Sequence, residues 1–358
     1  MTVEPEPHWT TVANPQAEEE AKMESVERLV VQISESNRLL CQGGVARWRI
    51  SLMLLDNTAE LLLRRECNSK LALNYLGRQL YEEVREAMHR GETHQATSPR
   101  AAPGQTPRKL ADIEAELKRQ TVTEKEQSEI VGKFVPKVLY LQRNKLFSES
   151  HAAVLTRLHR YRNEIYHEDK VRPATIETAA KIYTYVVCDL MKRLTSLPEP
   201  IEIGAVTAEL DALYPGERHH SHKLSSYAES LLAQSPIDAP EKLAEALSEH
   251  LLDRLEKLDH DLTYVASNGG DDRQIVGEQT RDRTLKAIFS RSAETKKVKY
   301  SKVRQWKGMA RNLVRATDYV NAFEKFATAE VELEVIEDEV LHAVRLIDQP
   351  AADIELWI

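Results

Sequence analysis

The stretch Val154-Leu155-Thr156-Arg157-Leu158-His159-Arg160-Tyr161-Arg162-Asn163-Glu164-Ile165-Tyr166-His167 decides the fold. Val154, Leu158, Tyr161 and Ile165 recur at three- and four-residue intervals, so on a helix they make one narrow apolar stripe. That pattern predicts an amphipathic helix with the stripe against a core. Asn163 lies nearly opposite the stripe, and His167 follows one turn later on the same exposed face, where the i, i+4 amide can hold the imidazole in one orientation. Arg162 sits at the flank of the stripe, about 140° round the helix from His167.

The surroundings repeat the helical pattern. Before this stretch, Phe134-Val135-Pro136-Lys137-Val138-Leu139-Tyr140-Leu141 is a shorter helical run, and Arg143-Asn144-Lys145 makes the turn between them. After it, a loop ends in Pro173, a residue suited to the start of a helix. Ile176, Ala180, Tyr183, Val187 and Met191 then mark the next stripe. Upstream, Gly43-Gly44 separates Met23, Val26, Val30 and Ile33 from a long helical segment over 45–81. That segment is apolar on more than one face, which marks a helix buried on several sides, and Asp56, Asn57 and Glu60 sit inside its apolar run. Downstream, Leu243, Leu247, Leu251, Leu255, Leu258, Leu262 and Val265 form a stripe ended by Asn268-Gly269-Gly270. It fits a coiled-coil arm or one helix of a bundle.

Twelve glycines in 358 residues and abundant Ala, Leu, Glu, Lys and Arg favour helix throughout. The expected fold class is all-α: a helical bundle followed by a second helical domain. Residues 1–20 read as a loose tail, 21–197 as the first bundle with a flexible loop at 94–108, and 201–358 as the second domain. Leu197-Pro198-Glu199-Pro200 marks the boundary.

The net charge of −8 argues against a protein that coats nucleic acid over its whole surface. Cys41, Cys67 and Cys188 are far apart and read as buried small hydrophobes of a reducing compartment. The acidic N-terminus lacks the apolar core of a leader, and no stretch approaches the roughly 18 apolar residues of a membrane span. The expectation is a soluble, cytoplasmic protein without membrane partners.

The chemistry lies in Arg162-Asn163-Glu164-Ile165-Tyr166-His167. An arginine can neutralise a phosphate through two parallel hydrogen bonds. A histidine moves protons near neutral pH. Together they can cut RNA without a metal, because the 2′-hydroxyl supplies the nucleophile. One straight helix does not aim Arg162 and His167 at the same phosphate. Either the helix ends near Tyr166 and the chain turns, or a second copy completes the site across a two-fold axis. The spacing alone is common: Arg254 and His260 have five residues between them, and a surface arginine with a helix-ending histidine would look the same.

Over 36–197 the chain resembles the HEPN superfamily of helical-bundle ribonucleases. The resemblance rests on the runs 134–141 and 154–167, the Pro173 helix and the earlier run 52–63. It implies a dimeric four- to five-helix bundle with its active site at the dimer cleft, cutting RNA without metal or cofactor, in a toxin or antiviral-defence setting. Carried over, Arg162 and His167 are the catalytic pair and Asn163 the polar residue after the arginine. Asp56 and Glu60 are candidates for the family's acidic helper, with Tyr166 as a further auxiliary. The plainer alternative for the two carboxylates is a partner inside the bundle.

Residues 281–315 hold twelve basic side chains against Asp282 and Glu294, a local charge of +10. Lys296, Lys297, Lys299, Lys302, Arg304, Trp306, Lys307 and Arg311 are the expected RNA-binding residues, the aromatic supplying base stacking. The alternatives are a solvated face or a partner for the acidic residues at 330–339. His219, His220 and His222 have no implied fourth ligand for zinc. The expected function is a metal-independent endoribonuclease acting on tRNA or mRNA as a homodimer, under a regulatory or antitoxin protein. The competing expectation is a non-catalytic RNA- or nucleotide-binding regulatory subunit of the same fold.

Overall fold

The computed structural model describes residues 15–72, 74–94, 108–168, 172–194, 224–268, 277–291 and 299–355. The fold is all-α. Among the described residues there are thirteen helices: α1 (Pro15–Gln42), α2 (Val45–Leu71), α3 (Asn74–His89), α4 (Leu110–Gln120), α5 (Glu124–Gly132), α6 (Phe134–Arg143), α7 (Glu149–His167), α8 (Ile176–Arg193), α9 (Leu224–Gln234), α10 (Pro240–Asn268), α11 (Glu278–Arg291), α12 (Tyr300–Leu313) and α13 (Tyr319–Glu355). None of them is long and apolar enough to cross a membrane. Helix α1 starts at Pro15, within the stretch expected as a tail. The segment expected as one helix over 45–81 is two, α2 and α3.

The chain divides into two compact units that interleave in sequence. The first is Met1–Leu146 with Val187–Ser235, the second Phe147–Val186 with Pro236–Ile358. The expected boundary at 197–200 lies outside the described residues and is not where the units part. The physical reason is long-range pairing: α7 belongs with the C-terminal helices because its Arg157 and Tyr161 bond to Glu330 on α13.

In the first unit, α1 and α2 form an antiparallel pair with a core of Leu29, Val30, Ile33, Leu52, Leu55, Leu62 and Leu63. Ser36 and Ser51 join their hydroxyls across it at 2.6 Å. Gly43 (φ +70) and Gly44 (φ +92) make the reversal. Only glycine takes the Gly44 conformation (ψ 142) without strain. Gly44→Ala is therefore expected to destabilise the protein by about 1–3 kcal/mol, read as a lower urea midpoint with an unchanged slope. Helices α3 and α4 pack through Val84, Ala87, Leu110, Ile113 and Leu117. A single bridge between His94 and Lys109 closes the base of the excursion, whose residues 95–107 lie outside the described ones. Thr123 and Glu126 cap α5 reciprocally, satisfying two otherwise orphaned amides.

In the second unit, α10 is the central helix, packed against α11, α12 and α13. Its leucine stripe is buried from Leu243 to Val265, so it is a bundle helix and not a projecting arm. Phe323, Phe326, Leu333, Ile336 and Val340 of α13 and Val303, Trp306, Ala310 and Leu313 of α12 complete that core.

Candidate functional site

Helix α7 carries the motif. It starts where Ser148 accepts the His151 amide at 3.3 Å, with Glu149 in the first turn favouring the positive helix end. Val154, Leu158, Tyr161 and Ile165 are all buried, as their spacing predicts. The Tyr161 ring meets Phe323 edge-on at 6.1 Å. This packing leaves Arg162 and Asn163 half-buried, and Tyr166 and His167 exposed.

The four site residues form one contiguous group. Arg162 Nη1 donates to Asn163 Oδ1 at 2.9 Å. Its guanidinium lies 4.9 Å from the centre of the Tyr166 ring, a cation–π stack. The Tyr166 and His167 rings meet edge-on at 5.0 Å. Two expectations change. Helix α7 runs through His167 and ends only at Glu168, so no turn swings the imidazole round towards Arg162. Within one chain it is Tyr166, 60% exposed, that connects the two. The Asn163 carbonyl oxygen, expected to orient the imidazole, receives Arg162 instead.

Beneath this surface group lies a buried ion network that sequence reasoning missed. Glu330 is fully buried. Its Oε2 accepts from Arg157 Nη2 at 2.6 Å and from the Tyr161 hydroxyl. Its Oε1 accepts from Arg172 and Arg254, each at 3.0 Å. Arg254 also grips Glu337 with a fork of two bonds at 3.0 and 2.5 Å. Glu334 pairs with Arg157 and Arg172. Glu164, on α7 beside Asn163, takes Arg160 at 2.9 Å and a fork from Arg172 at 3.0 and 2.7 Å. Three largely buried arginines, with the exposed Arg160 at the edge, thus face four glutamates, which is how so many charges can leave water. Arg172 follows the motif by five residues, and its fork ties it to Glu164 on α7.

Burial alone would raise the Glu330 carboxyl, but Arg157 and Arg172 outweigh it and hold it below the usual carboxylate range. Tyr161 is pushed well above its ordinary value by burial and by Glu330, so it stays protonated and donates. The visible signal was the spacing of Glu330, Glu334 and Glu337 at i, i+4 and i+7, which puts three carboxylates on one face of the helix.

The remaining predicted residues fall elsewhere. Asp56 and Glu60 belong to the first unit. Asp56 is buried, and Glu60 pairs there with Lys137, whose side chain is fully buried, and with Arg64, each at 3.4 Å. Glu60 therefore has the structural partner that was the plainer alternative. Cys67 and Cys188 are buried, and burial pushes each thiol up to about 12. Cys41 is exposed, contrary to expectation.

In the basic segment, Trp306 is 3% exposed and cannot stack on a base; it faces the core with Val303, Ala310 and Leu313. Tyr300 is also buried, its hydroxyl donating to Asp259 at 2.7 Å. Lys307 pairs with Asp259, Lys302 with Glu332 at 2.9 Å and Arg304 with Glu278 at 3.3 Å. Lys299 and Arg311 are exposed. Lys296, Lys297 and the three histidines at 219–222 lie outside the described residues. Of the acidic residues at 330–339, Glu330, Glu334 and Glu337 are taken by Arg157, Arg172 and Arg254, while Glu332 pairs with Lys302 of the basic segment.

Comparison of the chain with protein-family models, with curated proteins and with solved structures gave no match in any of the three.

Proposed function

We propose that this chain is a metal-independent endoribonuclease of the HEPN type, with Arg162 and His167 as its catalytic groups. The observation that carries the reading is the surface group on α7. A half-buried guanidinium, an amide, an exposed tyrosine and an exposed imidazole sit together at a helix end that is anchored from below. Such anchoring is what a site needs to hold reacting groups in fixed geometry.

In the proposed reaction, His167 takes the proton of an RNA 2′-hydroxyl. The 2′-oxygen attacks the adjacent phosphorus, the bond from phosphorus to the 5′-oxygen breaks, and the leaving oxygen takes a proton from water or a second imidazole. Arg162 stabilises the charge that grows on the non-bridging oxygens. The products are a 2′,3′-cyclic phosphate and a 5′-hydroxyl. Because α7 stays straight through His167, a two-fold pair of chains is the arrangement that brings one copy's Arg162 to the other's His167. A toxin or defence role, with tRNA or mRNA as target, is the setting that the family resemblance supports.

The test is incubation of the purified full-length protein with labelled tRNA and mRNA in the presence of a chelator. Cleavage is the expected result. A second reading, an RNA- or nucleotide-binding subunit that does not cut, is favoured by the Arg162 guanidinium being held against Tyr166 and Asn163. Binding without cleavage of any RNA would select it.

A further inference from the structure

The structure sorts the basic segment into side chains that build the second unit and side chains that leave it. On α12 the core face is Val303, Trp306, Ala310 and Leu313. The opposite face presents Arg304, Gly308 and Arg311, and Arg315 extends the row onto the turn that closes the helix, where its amide bonds to the Asn312 carbonyl at 3.2 Å. At 100° per residue the three helical positions fall within about 60° of one another, and Arg315 follows them on the turn. Arg304, Arg311 and Arg315 are all exposed. A Cβ added at Gly308 would meet nothing within 4 Å, so the middle of the row is open. Residues 299–315 contain six basic side chains and no acidic one, in a chain whose net charge is −8. The Arg304–Glu278 pair is more than half exposed on both sides, the kind that a phosphate can displace at little cost.

We infer that this arginine row on α12 is a docking track for the phosphate backbone of single-stranded RNA. Its chemistry decides between RNA and an acidic protein. The row and its neighbours Ser301, Gln305 and Asn312 offer charge and hydrogen-bond donors, and beside them only Val314 adds an exposed apolar side chain. A protein interface relies on buried aromatic or aliphatic anchors at its centre, whereas phosphate contacts need only positive charge and donors. With Trp306 and Tyr300 committed to the core, the track reads backbone and not bases. The same unit carries Arg162 and His167. The inference takes its ligand from the proposed function but does not depend on cleavage.

The experiment uses full-length protein carrying His167→Ala, so that RNA is bound without being cut. The affinity for a labelled single-stranded oligoribonucleotide is measured over a salt series. Replacing Arg304, Arg311 and Arg315 together by glutamine is expected to reduce the slope of log Kd against log salt by about two, since each single-strand phosphate contact contributes roughly 0.7. At about 0.1 M salt the affinity should fall by roughly tenfold or more. The same change at Arg38, Arg85 and Arg90, exposed arginines of the first unit, removes equal charge and should leave the slope unchanged. Single-stranded DNA of the same sequence should bind equally well, because the track does not touch the 2′-hydroxyl. The inference is overturned if the parent binds no RNA, if the α12 variant binds like the parent, if the control weakens binding as much, or if a polyglutamate peptide binds this face more tightly than RNA. Cleavage by the wild type, scored separately, reports on the nuclease reading alone.

Discussion

Replacing His167 by alanine is expected to lower the rate of RNA cleavage by roughly 10²–10⁴-fold, the usual contribution of a positioned general base. The folded state should hardly change, because His167 is exposed and its ring meets that of its exposed neighbour Tyr166. Arg162→Ala is expected to cost about 10²–10³-fold, the scale of losing one oxyanion-stabilising donor. Both effects should appear in kcat more than in KM, since each group acts on charge or protons that move in the transition state. Mixing the two inactive proteins separates the possible site geometries. If the site forms across a two-fold axis, a mixed pair contains one site with Arg162 and His167 both intact, and part of the activity returns. If both groups act from one chain, the mixture stays as inactive as its components.

Glu330→Gln should have the largest effect on stability. It removes the one negative charge that Arg157, Arg172 and Arg254 share, at a fully buried position. Breaking a buried ion pair costs about 3–5 kcal/mol, a large share of the roughly 5–15 kcal/mol that holds a domain folded. The variant should show a much lower urea midpoint and lose hydrogen-exchange protection in α7 and α13. By contrast, Lys302→Gln breaks an exposed pair with Glu332 and should cost less than about 1 kcal/mol. The pH dependence follows from the depressed Glu330 carboxyl. Its contribution is fully present above the unfolded carboxylate value of about 4.3 and is lost as pH falls through the lower folded value. The wild type should therefore lose stability on acidification below about pH 4 more steeply than the glutamine variant. Equal acid profiles would show that Glu330 is not the charge the network depends on.

Local patterning carried the helices, and long-range pairing carried the rest. The α7 stripe and the leucine stripe of α10 were legible because burial repeats every three or four residues. The division into units was not, because it depends on contacts such as Arg157 to Glu330, 173 residues apart. Trp306 was misplaced for a different reason. Its basic neighbours suggested a surface, yet its spacing from Val303, Ala310 and Leu313 puts it on the apolar face. Period outweighs composition at such a position. Of the candidate site, the residues were legible but their wiring was not: nothing in the order Arg162-Asn163 says that the guanidinium will take its own neighbour's amide oxygen and the Tyr166 ring.

The most direct measurement compares two otherwise identical oligonucleotides in the presence of a chelator, one all-RNA and one with a single 2′-deoxy sugar at the cleaved position. Wild-type protein should cut the first to a 2′,3′-cyclic phosphate, leave the second intact, and lose the reaction in His167→Ala. Cleavage of the deoxy-substituted strand, or undiminished cleavage without His167, would contradict the assignment of Arg162 and His167 to this chemistry.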